Sequence, residues 1–101
     1  MIKHIVMFKL LNKNKENTEK VVTALKTLER NIDVLCSAEI GVNFNKSDRN
    51  YDIVLIAKFK NHNTLKTYET HPKHLPVVET VRSLCSGSVV VDYESDDDSQ
   101  K

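Results

Sequence analysis

The chain has 101 residues, of which 40% are hydrophobic and 29% are charged. This is the composition of one small globular domain, and it excludes a wholly disordered chain. A formal net charge of +1 excludes the strongly basic surface expected of a nucleic-acid-binding domain. No apolar run approaches the roughly 20 residues that a membrane-spanning helix needs, so we expect neither nucleic acid nor a membrane as a partner.

The first half of the chain predicts a strand, a helix and a second strand. Residues 2–10 form an apolar segment typical of a strand. Residues 17–31 carry apolar side chains at helical spacing, with Asn17 or Thr18 as the predicted N-cap. Residues 34–44 alternate apolar and polar positions, which is the pattern of a strand with one buried face.

The second half predicts a strand, two helices separated by a proline, and a last strand. Residues 51–60 alternate as a strand does and follow a polar connector. One helix is predicted over residues 61–71, where Pro72 ends it because proline disfavours a helical residue before it. The next helix is predicted over residues 73–87, and its final glycine is a candidate C-terminal cap. Residues 88–93, rich in valine, form the fourth strand.

This order predicts an α+β fold of the ferredoxin-like (split βαβ) class, a four-stranded antiparallel sheet with helices on one face. We assign residues 1–94 to the domain. Residues 95–101 have no apolar side chain to bury and are predicted to be a disordered acidic tail. Cys36 and Cys85 are far apart in sequence, which predicts neither a disulfide framework nor a metal site and suits a reducing cytoplasm. Both lie on apolar faces and are predicted to be core residues.

Strand periodicity predicts an apolar patch on the face of the sheet that the helices leave open. When one set of alternate residues faces the helices, the other set is apolar at the strand centres: Ile5, Met7, Val54, Ile56, Val89 and Val91. Charged residues surround this patch, namely Lys3, Lys9, Asp52 and Lys58. Such a patch marks an interface. We therefore predict a homodimer that pairs the two sheet faces, the alternative being a monomer whose tail covers the patch.

Titratable residues cluster at the break between the last two helices, in the segment YETHPKH that begins at Tyr68. His74 is a candidate general base because histidine titrates near neutral pH. His4 and Asp92 share the helix-facing side of the sheet, where a buried carboxylate needs a partner. A histidine oriented by Asp92 beside the Tyr68 phenol would form a base with its orienting group. The alternative, that these side chains only pack and hydrogen-bond in the core, stays open.

Four blocks of sequence carry a resemblance to a known family: IKHIVMFKL, YDIVLIAKF, YETHPKHLPVVETVR and VVVDYE. In this order and spacing they resemble the stress-responsive A/B barrel (Dabb) family, and they extend over residues 2–94. The resemblance implies a ferredoxin-like subunit that pairs through its sheet to form a dimeric α/β barrel.

The resemblance also implies a site. In one cyclase of this family, which folds a linear polyketide by aldol condensation, the catalytic pair matches Tyr68 and His74, and a last-strand aspartate matches Asp92. Its pocket lies between helices and sheet, and the predicted substrate-binding residues here are His4, Val6, Phe8, Leu25, Ile53, Leu55, Val77, Val78 and Val90. Bulky residues of that pocket are replaced in this chain, at Cys85 among others, so its substrate is not transferred.

Three functions follow from these inferences. The first is an enzyme that uses His74 to remove a proton beside the carbonyl group of a small apolar, polyketide-like ligand, with no cofactor and no metal. The second is a non-catalytic dimeric ligand-binding or stress-response protein in which the same residues are structural. The third, cofactor-free oxidation of an aromatic compound, is less favoured because the chain has no tryptophan and no oxygenase motif.

Overall fold

The computed structural model of the chain describes residues 1–96. Within these residues it contains four strands and three helices, whose order confirms the predicted one. In chain order they are β1 (Ile2–Leu10), α1 (Lys15–Asn31), β2 (Leu35–Val42), β3 (Ile53–Phe59), α2 (His62–Glu69), α3 (His74–Leu84) and β4 (Cys85–Glu94).

The strands form one antiparallel sheet in the order β2-β3-β1-β4. The two central strands, β1 and β3, pair in continuous register from Ile2 opposite Phe59 to Phe8 opposite Ile53. Strand β4 pairs with the outer side of β1, and strand β2 pairs with the outer side of β3. Strands β2 and β4 are therefore the edges of the sheet. This is the arrangement of a split βαβ sheet, and the predicted ferredoxin-like fold class is confirmed.

The beginning of α1 and the end of α3 differ from the positions that the sequence predicted. Helix α1 begins at Lys15 because Asn14, rather than Asn17 or Thr18, is its N-cap, and the Asn14 side chain accepts a hydrogen bond of 2.8 Å from the Asn17 N–H. Helix α3 ends at Leu84, and its glycine belongs to β4 instead of capping the helix. Pairing with β1 draws the chain into the sheet directly after the helix.

A β-bulge near the start of β2 changes the position of one cysteine. Leu35 lies opposite Phe59 and Ser37 opposite Lys58, so the register shifts across Cys36. As a result Leu35 is buried and Cys36 is exposed, and the prediction that Cys36 is a core residue is wrong. The alternation read from the sequence fails here because a bulge adds one residue to one strand only.

The core lies between the helices and one face of the sheet. The helices contribute apolar residues at helical spacing, and the alternate residues of the strands meet them. The most deeply buried side chains, each at most 2% exposed, are Val21, Leu25, Leu28, Ile32, Ile53, Leu55, Ala57, Phe59 and Tyr68. The core thus uses one set of strand positions and leaves the other set free.

Asp52 does not belong to the charged rim of the open face, where the sequence placed it. It is only 8% exposed. Its Oδ2 accepts a 2.8 Å hydrogen bond from the Leu10 N–H, and Lys13 Nζ lies 3.2 Å from Oδ1. Because Asp52 precedes the first residue of β3, strand alternation does not govern its direction. It fixes the chain where it leaves β1.

The open face carries the six residues predicted to form a dimer interface. Met7, Val89 and Val91 are 41%, 47% and 58% exposed, and the others are half-buried. In the described chain they meet no helix, because the core occupies the opposite side of the same strands. Pairing of this face with a second copy stays a prediction.

Ser95, predicted to be the first residue of the disordered tail, instead pairs with the start of the chain. The Ser95 N–H donates to the Met1 carbonyl at 2.7 Å and so continues the pairing of β1 with β4. Residues 97–101, the rest of the predicted acidic tail, lie outside the described residues. Within residues 1–96, no helix has both the length and the apolar character that a membrane crossing requires.

The N-cap of α2 predicts a measurable stability effect. The Asn61 side chain accepts from the Thr64 N–H at 3.0 Å, and the Thr64 hydroxyl accepts from the Asn61 N–H at 3.2 Å. We expect Asn61→Ala to lower the free energy of unfolding by about 1 kcal/mol, because it leaves the helix N–H groups without their acceptor. Chemical denaturation measures this, with Asn63→Ala in the same turn as the control. Equal stability of the two variants would contradict the capping role.

Candidate functional site

A cavity of about 310 Å³ lies between the helices and the covered face of the sheet. This is within the size range of small-molecule sites. Its walls come from the sheet, α1, α2 and α3, and from the start of β4. The lining residues are His4, Val6, Phe8, Leu25, Leu28, Leu55, Tyr68, His74, Val77, Val78, Val81, Arg82, Cys85, Ser86, Gly87 and Ser88.

Helix α3 forms one wall with a single stripe of side chains. Its pocket residues occupy the positions i, i+3, i+4, i+7 and i+8 counted from His74, which share one helix face. They are His74, Val77, Val78, Val81 and Arg82. The stripe therefore has a polar residue at each end and valines between them.

The helix break brings Tyr68 and His74 together. The chain turns after α2 through hydrogen bonds from the His71 N–H to the Tyr68 carbonyl (3.1 Å) and from the His74 N–H to the His71 carbonyl (2.9 Å). The rings of Tyr68 and His74 consequently stack at a tilt of 42°, with their centroids 4.4 Å apart. The predicted catalytic pair thus lies in one wall of the cavity.

The hydrogen bonding of His74 determines which ring nitrogen is available. Its Nδ1 lies 3.1 Å from the Glu69 carbonyl oxygen. Since a carbonyl only accepts, Nδ1 carries the proton and donates it, which leaves the lone pair on Nε2. Burial lowers the pKa of His74, and the Glu69 carbonyl opposes that shift in part, while nearby His4 and His71 add to it. The ring is therefore neutral at pH 7 and able to accept a proton.

Tyr68 is a protonated phenol in a largely apolar setting. It is 1% exposed and packs against Phe59, with ring centroids 4.8 Å apart, and against His4 in a T-shaped contact at 6.0 Å. Burial first, and the charge of Glu69 second, raise the pKa of Tyr68 far above its ordinary value. The group remains a hydrogen-bond donor at any physiological pH.

Asp92 does not orient His74, which corrects the sequence prediction. The pairing of β1 with β4 sets Asp92 directly opposite His4, and the Asp92 Oδ1 lies against the His4 Nδ1. The acceptor of His74 is a backbone carbonyl instead. The prediction that a histidine satisfies Asp92 holds, but that histidine belongs to strand β1.

Two predicted lining residues do not reach the cavity, and Asp92 does not line it either. Ile53 is 2% exposed and packs in the core at the far end of β3. Val90 lies beside Val6 on the helix-facing side, yet it is 55% exposed because no helix covers that part of β4. The remaining predicted lining residues, His4, Val6, Phe8, Leu25, Leu55, Val77 and Val78, all contribute to the wall.

The sequence prediction missed the mouth of the cavity, which Arg82, Ser86, Gly87 and Ser88 form together with Cys85. The sequence could have predicted Arg82 as a lining residue, since it lies eight residues after His74 on the same helix face. Cys85, Ser86 and Gly87 were expected to belong to the helix, and Ser88 to begin the strand, so the sequence did not place them at the cavity. Burial and, secondarily, Asp52 raise the pKa of the Cys85 thiol, so it stays protonated at pH 7.

The comparisons with known proteins place the chain in a family. The family model of the stress responsive A/B barrel domain matches residues 2–95. The chain belongs to this family. A search of curated proteins found no significant match. Among residues 1–96, no group of three or more histidine, cysteine, aspartate or glutamate side chains is arranged to hold a metal ion.

Solved structures with the same fold include two dimeric ferredoxin-like proteins of unknown function. The one from Thermobifida fusca is 24% identical with a TM-score of 0.82, and the alignment covers 93% of this chain and 90% of that one. The one from Bacteroides fragilis is 30% identical with a TM-score of 0.76, covering 93% and 95%. A hydroxynitrile lyase from Passiflora edulis is 12% identical with a TM-score of 0.79, covering 91% and 90%.

The lowered pKa of His74 predicts a pH dependence of stability. The folded state disfavours the charged His74 ring. The contribution of the neutral ring to stability is therefore complete above the unfolded-state pKa of about 6.5, and it is lost as the pH falls through the lower pKa of the folded state. We expect the thermal midpoint of the wild type to fall more between about pH 8 and pH 5 than that of His74→Gln. Calorimetry checks this, with His74→Asn as a second non-titrating variant. Parallel curves would show that His74 is not desolvated.

Proposed function

We propose that this protein is a homodimer in which each subunit binds a small apolar carbonyl compound and acts on it by cofactor-free proton transfer. One observation carries the proposal: a neutral histidine with a free Nε2 and a protonated tyrosine meet in the wall of a largely apolar cavity. A base and a hydrogen-bond donor are sufficient to form and stabilise an enolate.

The reaction step uses only these two side chains. The His74 Nε2 takes a proton from the carbon next to the carbonyl group, and the C–H electron pair becomes the carbon–carbon double bond of the enolate. The carbonyl π electrons move to oxygen, where the Tyr68 O–H donates a hydrogen bond. The lowered pKa of His74 favours return of the proton, either to the same carbon or to an oxygen formed in an aldol or cyclisation step.

The wall of the cavity supports this chemistry in two ways. The lining residues of α3 between His74 and Arg82 are valines, which exclude water and strengthen the hydrogen bond from Tyr68. The pairing of His4 with Asp92 holds the His4 ring in its T-shaped contact with the Tyr68 ring. Tyr68 is thereby confined between two histidines and Phe59.

Dimerisation is the second part of the proposal. An apolar face on which Met7, Val89 and Val91 are 41% to 58% exposed costs free energy in water, and a second copy of the face would bury it. Two structural neighbours of the same fold are described as dimeric, which supports this expectation. The proposed setting is cytoplasmic, consistent with two cysteines that are both free.

A non-catalytic binding protein is the alternative, and the burial of Tyr68 favours it. At 1% exposure Tyr68 is the largest of the fully buried side chains, so packing alone would account for its position. The neighbour named as a hydroxynitrile lyase shows that an enzyme can have this fold, but its 12% identity says no more about this chain. Activity measurements separate the two functions.

Proton transfer is tested by hydrogen–deuterium exchange on an alkyl β-diketone in heavy water, followed by NMR. We expect the wild type to accelerate exchange at the carbon between the carbonyl groups, and His74→Gln to lower the rate by about 100-fold or more, the usual contribution of a general base. Tyr68→Phe should lower it by at least about tenfold, because it removes only the hydrogen bond to the enolate oxygen.

The matched control is His62→Gln, which replaces an exposed histidine of α2 that pairs with Glu94 on the surface. This variant should keep the wild-type exchange rate. Exchange no faster with the wild type than with His74→Gln would reject the catalytic proposal, and retained binding of the diketone in that case would favour the non-catalytic alternative.

The dimer is tested by sedimentation. We expect Val54→Lys or Ile56→Asp to convert a dimer into a monomer at micromolar concentration, because each buries an unpaired charge in the proposed interface while leaving the helix-facing core intact. Thr80→Lys, an exposed position on α3, serves as the control and should remain dimeric. A monomeric wild type would refute this part of the proposal.

A further inference from the structure

The mouth of the cavity carries polar and charged groups that have no role in the proposed proton transfer. Arg82 is the one lining residue with a permanent charge, and no aspartate or glutamate is among the residues that line the described cavity. Within residues 1–96, the guanidinium group has no hydrogen-bond or ion-pair partner. Asp92 pairs with His4, and Asp52 pairs with Lys13 and the Leu10 N–H.

Arg82 is directed to the cavity by its place on α3. It follows His74 by eight residues and Val78 by four, so it belongs to the pocket stripe and lies in the last turn of the helix. At a rise of 1.5 Å per residue, the backbone positions of His74 and Arg82 are about 12 Å apart. The cavity therefore has a proton-transfer end and a cationic end, separated by valines.

The start of β4 adds hydrogen-bonding groups at the cationic end. The register between β1 and β4 shifts between Lys9 and Leu10, with Gly87 opposite Lys9 and Cys85 opposite Leu10, so Ser86 is the extra residue of a bulge. Its hydroxyl lies at 3.4 Å from the Lys9 carbonyl, a long contact. Ser88 also lines the mouth. The space beside Gly87 is open, since a Cβ atom added there would have no atom within 4 Å. The mouth is thus open as well as polar.

We infer that Arg82 binds a carboxylate, and that the ligand of this cavity is an apolar oxo acid whose carboxylate lies at the mouth and whose carbonyl group lies at Tyr68 and His74. The guanidinium fork matches a carboxylate in geometry and charge. Ser88, which also lines the mouth, adds a hydroxyl donor beside it. For the position of the carbonyl group, this inference rests on the proposed function, while the recognition of the carboxylate rests on the mouth alone.

The test compares two probes that differ only in charge. Octanoate and octanamide have the same length and shape, and calorimetric titration gives the dissociation constant of each. We expect the wild type to bind octanoate at least about tenfold more tightly than octanamide, the usual effect of a charge-assisted hydrogen bond. The preference should decrease at high salt, because Arg82 is exposed at the mouth.

Arg82→Gln should reduce this preference to about one, and Arg82→Lys should restore part of it because the charge remains without the fork. The control is Arg30→Gln, an exposed arginine in the last turn of α1 that does not line the cavity, and it should keep the full preference. Thermal midpoints confirm that each variant is folded.

Equal affinity of the wild type for the two probes, failure of the wild type to bind octanoate, or a preference unchanged in Arg82→Gln would each overturn the inference. The proposed function is tested separately, by the rate of hydrogen–deuterium exchange that the wild type catalyses on the alkyl β-diketone, which carries no carboxylate. Exchange without a preference for octanoate rejects the carboxylate site alone, whereas preference without exchange rejects the proton transfer alone.

Discussion

The constraint on which the rest of the structure depends is that three helices cover one face of a four-stranded sheet incompletely. They bury the helix-facing side of β3 to the point where Ile53, Leu55, Ala57 and Phe59 are at most 2% exposed. On the edge strand β4 the same side remains open, and Val90 is 55% exposed although its partner Val6 lines the cavity. Because side chains alternate along a strand, this one-sided covering creates the core, the open face and the mouth of the cavity together.

The cavity combines fixed polar groups with an apolar interior. His74 is held in one tautomer by a backbone carbonyl, and Tyr68 is held by ring contacts with Phe59, His4 and His74. Burial drives both pKa shifts toward the neutral form, which lowers the pKa of the histidine and raises that of the phenol. A neutral base beside a neutral donor is the combination that enolate chemistry needs, and it is maintained by packing.

Particular residues show how far the sequence predicts this site. Tyr68 and His74 were predicted to lie at one helix break because a proline lies between them, and the family resemblance implied that they act as a pair. The break does bring their rings together. Asp92 was assigned to the wrong histidine, because strand alternation tells which side a residue faces and not which residue lies opposite it. Only the β1–β4 register sets Asp92 against His4. The mouth was missed because the chain at Cys85 passes from helix to strand without a loop.

By itself the sequence determined the fold class, the split of strand residues into two apolar faces and the helix break that carries the tyrosine and the histidine. These features depend on local periodicity and on proline, which act within a few residues of the chain. The tertiary structure alone decided the partner of Asp92, the burial of Asp52, the exposure of Cys36 and the arginine at the cavity mouth. Each of these depends on register, a bulge or the limited reach of the helices, which arise only when distant segments pair and pack.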